Sequence, residues 1–152
     1  MISLFEVVKF LHILMAIIAV GFNASYGILL ARAAREPEHQ LHVLRTIKVL
    51  DDRFANPGYA LLLATGIWMI LISPFEITEF WILTALGLYT LAVLAGALGY
   101  TPTLRRQITA LERDGSASPE FQRLAKRGTT IGILLAVDVI AIVFLMVTKP
   151  AF

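Results

Sequence analysis

Three side chains stand out against an apolar background. His12 and Asn23 lie in the run KFLHILMAIIAVGFNASYG, residues 9–27, and Asp138 lies in ILLAVDVIAIVFL, residues 133–145. A neutral imidazole is a good ligand for haem iron or copper, and a carboxylate on its second nitrogen is a common support for such a ligand. Met15, close to one turn from His12, carries a soft thioether sulfur. Histidine and aspartate are also the residue types of intramembrane proton relays. The same pair can instead be a buried hydrogen-bonded contact that sets helix register. Three readings therefore stand side by side: a haem- or metal-binding protein with a redox role, a small proton, ion or solute transporter, and a membrane scaffold without a cofactor. No residue pattern assigns a catalytic role, so whether the chain is an enzyme stays open. The absence of cysteine excludes disulfides, thiolate metal sites and cysteine nucleophiles. His39 and His42 are spaced i, i+3 without cysteine or an ordered carboxylate nearby, and read as solvated.

A helix is the element that makes these residues meet. At 100° per residue, positions eleven apart nearly eclipse, so His12 and Asn23 share a face. Lys9, Ala16, Ala19, Tyr26 and Gly27 fall within the same polar or small arc. Leu11, Ile13, Leu14, Ile17, Ile18 and Val20 cover the opposite side. The division turns His12 and Asn23 inward, away from lipid. Asp138 is the one carboxylate deep in an apolar run, where a charge costs about 2.5–3.5 kcal/mol on insertion scales, so it too belongs inside. Counted along their helices, His12 and Asp138 sit at similar depth, roughly 12 and 15 Å from their outer ends, and can meet there with Lys9 and Glu6 above them.

The helices are transmembrane. Of the 152 residues, 58% are hydrophobic and 16% charged, with the apolar ones concentrated in long runs. A bilayer core about 30 Å thick needs roughly 20 apolar helical residues. Four stretches qualify, about 4–31, 55–73, 80–100 and 128–148, which predicts an all-α four-helix bundle forming a single integral membrane domain over 1–152. Ala31-Arg32-Ala33 has the small-x-small form of a signal cleavage site, but the run before it is too long for a signal core and no basic region precedes it, so it reads as a retained helix.

The charges orient the bundle. Arg32, Arg35, Arg45, Lys48 and Arg53 lie in the first connection, and Arg105, Arg106, Arg113, Arg123, Lys126 and Arg127 in the third. The second connection, 74–79, holds two glutamates and no basic residue. Positive charge stays inside. The basic loops are therefore cytoplasmic and both termini extracytoplasmic, in what reads as a bacterial cytoplasmic (inner) membrane. Leu41, Leu44, Ile47, Leu50 and Phe54 recur at helical spacing between basic residues, which predicts an amphipathic stretch: a cytoplasmic extension of a membrane helix, a helix lying on anionic lipid, or a docking surface for a partner. Asn56-Pro57-Gly58 marks a break or a helix start. The basic clusters suit topology, with the lipid bilayer as partner, rather than nucleic acid. Ala85, Ala92, Gly96 and Gly99, with Gly128 and Gly132, form small stripes that allow close helix contact within one copy, between copies as a homo-oligomer, or with a membrane partner protein.

Four segments occur in an order that resembles a known family: VVKFLH at the start, DDRFANPGYALLLATG entering the second span, FWILTALGLY in the third and FLMVTKP at the end. The chain resembles the bacterial integral membrane family known as DUF2269, a domain of unknown function, over essentially its whole length. That family is similar in outline to the copper-resistance D membrane domain and to the haem-binding membrane protoporphyrinogen oxidase. The oxidase has a Leu-His in its first span and a terminal Lys-Pro, so the resemblance implies His12 as haem ligand and Lys149-Pro150 as the matching end. Pro102 matches a proline that closes the third span in DUF2269. The oxidase also carries histidine and lysine in its third span, where FWILTALGLYTL has neither. Its catalytic assignment therefore does not transfer.

Overall fold

The structure is a computed structural model and describes residues 2–150. Four helices account for most of it: α1 Leu4–Ala33, α2 Pro37–Ile72, α3 Phe80–Asp114 and α4 Pro119–Thr148. Each is long and apolar enough to cross a membrane. They run for 30, 36, 35 and 30 residues, or about 45–54 Å at 1.5 Å per residue. A bilayer core takes about 30 Å of this, so every helix projects well beyond it. The connections that look like loops by composition are mostly helix: 40–50 continues α2, 101–114 continues α3, and α4 begins nine residues before its apolar run.

The ends follow from local chemistry. Ser3 and Glu6 form a capping box, with Ser3 Oγ accepting from the Glu6 N–H at 3.2 Å and Glu6 Oε2 accepting from the Ser3 N–H at 2.8 Å. Ser118 accepts from the Phe121 N–H at 3.2 Å, with Pro119 in the first turn of α4. Gly115, at φ 78°, ends α3 in a conformation that glycine adopts without a Cβ penalty. Lys149 ends α4 at φ 43°.

The helices form two antiparallel hairpins, α1–α2 and α3–α4, whose partners pack along their length. The hairpins join chiefly at the basic end. There Tyr26, Leu44, Ile47, Leu104, Ala110, Phe121 and Leu124 make the hydrophobic core, and Arg45 donates to Glu112 at 2.7 Å between α2 and α3. The amphipathic stripe of α2 supplies two of the best-buried residues, Leu44 and Ile47. Toward the end that carries the termini, α4 buries nothing beyond Gly128 and presents Ile133, Leu134, Val137, Ile140, Phe144 and Val147 outward. Such a surface suits acyl chains. Part of the small stripes is used within this copy: Gly128 leaves room for Gln107 and Thr103, Gly99 for Ile131, and Ala85 is buried.

Both central helices contain a π segment, Asp51–Ala55 in α2 and Ala95–Tyr100 in α3. The Asn56 N–H bonds to the Asp51 carbonyl and the Thr101 N–H to the Gly96 carbonyl, each five residues back. The next residues are Pro57 and Pro102. A proline inside a helix lacks the donor for the carbonyl four residues earlier and its ring crowds that carbonyl. Those carbonyls, of Arg53 and Leu98, both fall inside the π segments, where the wider turn makes room. Asn56-Pro57-Gly58 is thus neither a break nor a helix start, because α2 passes straight through it. Likewise, α3 does not stop at Pro102. Counted from the basic end of each helix, the two π segments lie at the same level, about 24 Å up.

Candidate functional site

The buried residues of α1 are Val8, Ala19, Tyr26 and Ala33. On the helical wheel they centre roughly 40° to one side of His12. Asn23 lies on the other side of His12 but still within the inward arc, and both are half-buried. Lys9 lies at the far edge of the polar face, roughly 100° from the buried centre, and is exposed. Met15 is half-buried.

His12 Nδ1 is 2.9 Å from Thr65 Oγ1 on α2. The Thr65 hydroxyl also lies 2.7 Å from the Leu61 carbonyl, which can only accept. A hydroxyl has one proton. With that proton on Leu61, Thr65 accepts from the imidazole, Nδ1 carries the hydrogen and Nε2 keeps its lone pair; with it on Nδ1, the ring hydrogen sits on Nε2. Gly66 makes this approach feasible, because a Cβ there would stand 3.2 Å from His12 Cε1. Helical periodicity does not single out Thr65. Its one signal in the sequence is being the sole polar aliphatic side chain between Gly58 and Ile72.

Asp138 is half-buried on α4, and its Oδ2 is enclosed without a hydrogen-bond partner. No hydrogen bond or ion pair among the described residues joins it to His12. The support for the imidazole comes from Thr65, not from the acid. His39 and His42 are exposed, and His39 lies 4.0 Å from Glu36. Among the described residues, no group of three or more His, Cys, Asp or Glu side chains is placed to hold a metal ion.

A second polar layer lies closer to the basic end. Asn23 Nδ2 donates to the Ala19 carbonyl at 3.0 Å and to Tyr59 Oη at 2.6 Å. Tyr89 Oη donates to the Tyr59 carbonyl at 2.6 Å. Asp51 is buried in the π segment of α2, close enough for its charge to act on Tyr26, Tyr59 and Tyr100. Tyr26 Oη is enclosed without a partner. The four tyrosines of the chain, dispersed from position 26 to 100, therefore converge on one layer. Periodicity along one helix could not show this, because the convergence is between helices. A surface cleft of about 340 Å³, lined by Asp52, Asn56, Ala97, Thr101, Pro102 and Arg105, lies beside the layer and joins the two π segments.

The Lys-Pro end has a structural role. Lys149 Nζ lies 4.3 Å from the Phe75 ring centre and 5.4 Å from that of Trp81. Those rings meet edge to face, and Trp81 Nε1 donates to Glu79 at 2.6 Å. The end of α4 is thus held against the α2–α3 turn by cation–π attraction.

A family model described as "predicted integral membrane protein (DUF2269)" matches residues 6–150. No curated protein and no solved structure matches the chain.

Proposed function

The chain belongs to the DUF2269 family of predicted integral membrane proteins, and from that premise we propose that it binds haem in a redox role, with His12 as the residue that would hold the iron in the half of the bundle nearer the termini. The supporting observation is the Thr65 hydrogen bond, which in the tautomer with Nδ1–H leaves Nε2 a lone pair. Metal-ligating histidines almost always donate their other ring N–H to a fixed acceptor. A bare ion would require several protein ligands, and the described residues offer no such group. A haem brings its own four nitrogens and can be held by one imidazole. When bound, it supplies one-electron chemistry. The chain's part is to orient the imidazole through Thr65 and Gly66 and to keep lipid around the site. Met15 is a nearby soft donor, Lys9 supplies a cation on the side of the termini, and the unused Asp138 Oδ2 offers a polar contact from α4. Asn23, bonded to Tyr59, belongs to the second layer and not to this site. The bundle sits in a bacterial inner membrane with both termini extracytoplasmic.

The test is absorbance of protein purified from membranes of the native host. A Soret band lost in His12→Ala and altered in Thr65→Val supports the reading. A colourless protein without bound iron overturns it. The enclosed, unbonded Asp138 oxygen favours a second reading, proton or ion transport. In that case, flux into liposomes is abolished in Asp138→Asn while the spectrum is unaffected by His12→Ala.

A further inference from the structure

The layer around Asp51 lies outside the His12 site and calls for its own explanation. Asp51 is 6% exposed, yet among the described residues no cation is bonded to it. Its nearest base, Lys48, pairs with Asp52 instead. Its one hydrogen bond is a long one, 3.4 Å from Asn56 Nδ2. Asp52 and Lys48, both on α2, are the charged groups that act on it; α1 and α3 bring the phenols of Tyr26 and Tyr100, and Arg105 of α3 lines the cleft with Asn56. An ionised carboxylate enclosed this way lacks the pairing that buried charges require. A neutral carboxyl meets a much smaller penalty. Tyr26, 4% exposed and with an unpartnered Oη, is a second and independent sign of an incomplete site. That hydroxyl bonds no group among the described residues, Asp51 included.

Access is also built in. Asn56, which contacts the Asp51 side chain, lines the cleft of about 340 Å³ that opens at the two π segments. π segments recur at functional sites, where they trade regular hydrogen bonding for local geometry. Here both are maintained by the prolines just beyond them, and both stand at the level of Asp51. We propose that Asp51, buried in the π segment of α2, is an exchangeable proton-binding site reached from the basic end through the cleft at Asn56. The proton moves between water in the cleft and an Asp51 oxygen, with no other bond made or broken. This assignment does not depend on a haem at His12.

Infrared difference spectroscopy of the full chain in lipid, taken across a pH titration, tests the site. Wild type shows the C=O stretch of a protonated carboxyl that shifts in heavy water. The band disappears in Asp51→Asn and persists in Asp52→Asn and Asp138→Asn. Survival of the band in a folded Asp51→Asn variant, or its indifference to heavy water in wild type, overturns the proposal. If Asp51→Asn does not fold, Tyr26→Phe decides. This variant keeps the carboxyl and removes the unbonded Tyr26 hydroxyl from its surroundings, so the band changes frequency if the site is as described, and an unmoved band overturns it.

Discussion

The protonation pattern of His12 depends on a single hydroxyl in another helix. Thr65→Val keeps the volume and removes the hydroxyl, leaving the imidazole Nδ1 without its partner at a half-buried contact. The expected loss is about 1–3 kcal/mol, read as a lower midpoint of thermal unfolding in detergent, while Thr65→Ser stays close to wild type. Equal losses for valine and serine would show that the threonine methyl, not the hydroxyl, matters. At this scale the sequence is informative about direction and poor about partners. The wheel of α1 turns His12, Asn23 and Tyr26 inward, as found, but it includes Lys9 because the polar arc is centred on His12. The buried arc is centred toward Val8 and Tyr26, and this leaves Lys9 exposed. Equal depth suggests Asp138 as partner for the imidazole. Depth is one coordinate, however, and a hydrogen bond also needs the facing angle of the second helix. Thr65 has that angle.

At the scale of elements, hydropathy locates the four spans because lipid demands long apolar runs. It does not show that the helices continue through charged sequence. Those continuations are stabilised by packing at the basic end, a tertiary effect. The stripe from Leu41 to Phe54 foretells helix correctly, but its last member leaves the core face. Leu44 and Ile47 are buried, whereas Phe54, past the start of the π turn, is half exposed with its ring 5.5 Å from Phe22. One extra residue in a turn rotates the downstream residues by roughly 100° relative to an unbroken α-helix. This suggests a test on α3. Deleting Leu98 from the π segment in a Pro102→Ala background restores an α turn and keeps both flanks facing their partners. Deleting Leu91, another exposed leucine in regular helix, puts every later residue out of register. The first variant should elute as a folded monodisperse species on size exclusion and the second should aggregate. The reverse order would mean that the π segment is not what aligns the two halves of α3.

The whole molecule has two unlike ends, and they should respond differently to the same chemical change. At the basic end the hairpins are joined by a water-excluding core, so Ile47→Ala leaves a cavity at a fully buried position and costs about 2–5 kcal/mol. On the apolar half of α4, Ile140 is 67% exposed. Ile140→Ala exchanges one lipid-facing surface for another and should cost less than about 0.5 kcal/mol, both measured by thermal unfolding in one detergent. The same asymmetry predicts an orientation. Eleven of the thirteen lysines and arginines lie on the side of the 34–36 and 115–118 turns, and the 73–79 turn carries acid alone. Charge of that sign is retained on the cytoplasmic side. Because the chain has no cysteine, a single introduced thiol reports its own location. Ala117→Cys, in the basic-end turn, should resist a membrane-impermeant maleimide on spheroplasts and react once they are permeabilised. Ile77→Cys, exposed in the opposite turn, should react at once. The opposite labelling would place the termini in the cytoplasm. The Asp51 cleft would then open outward, and any proton it takes up would come from the outer face.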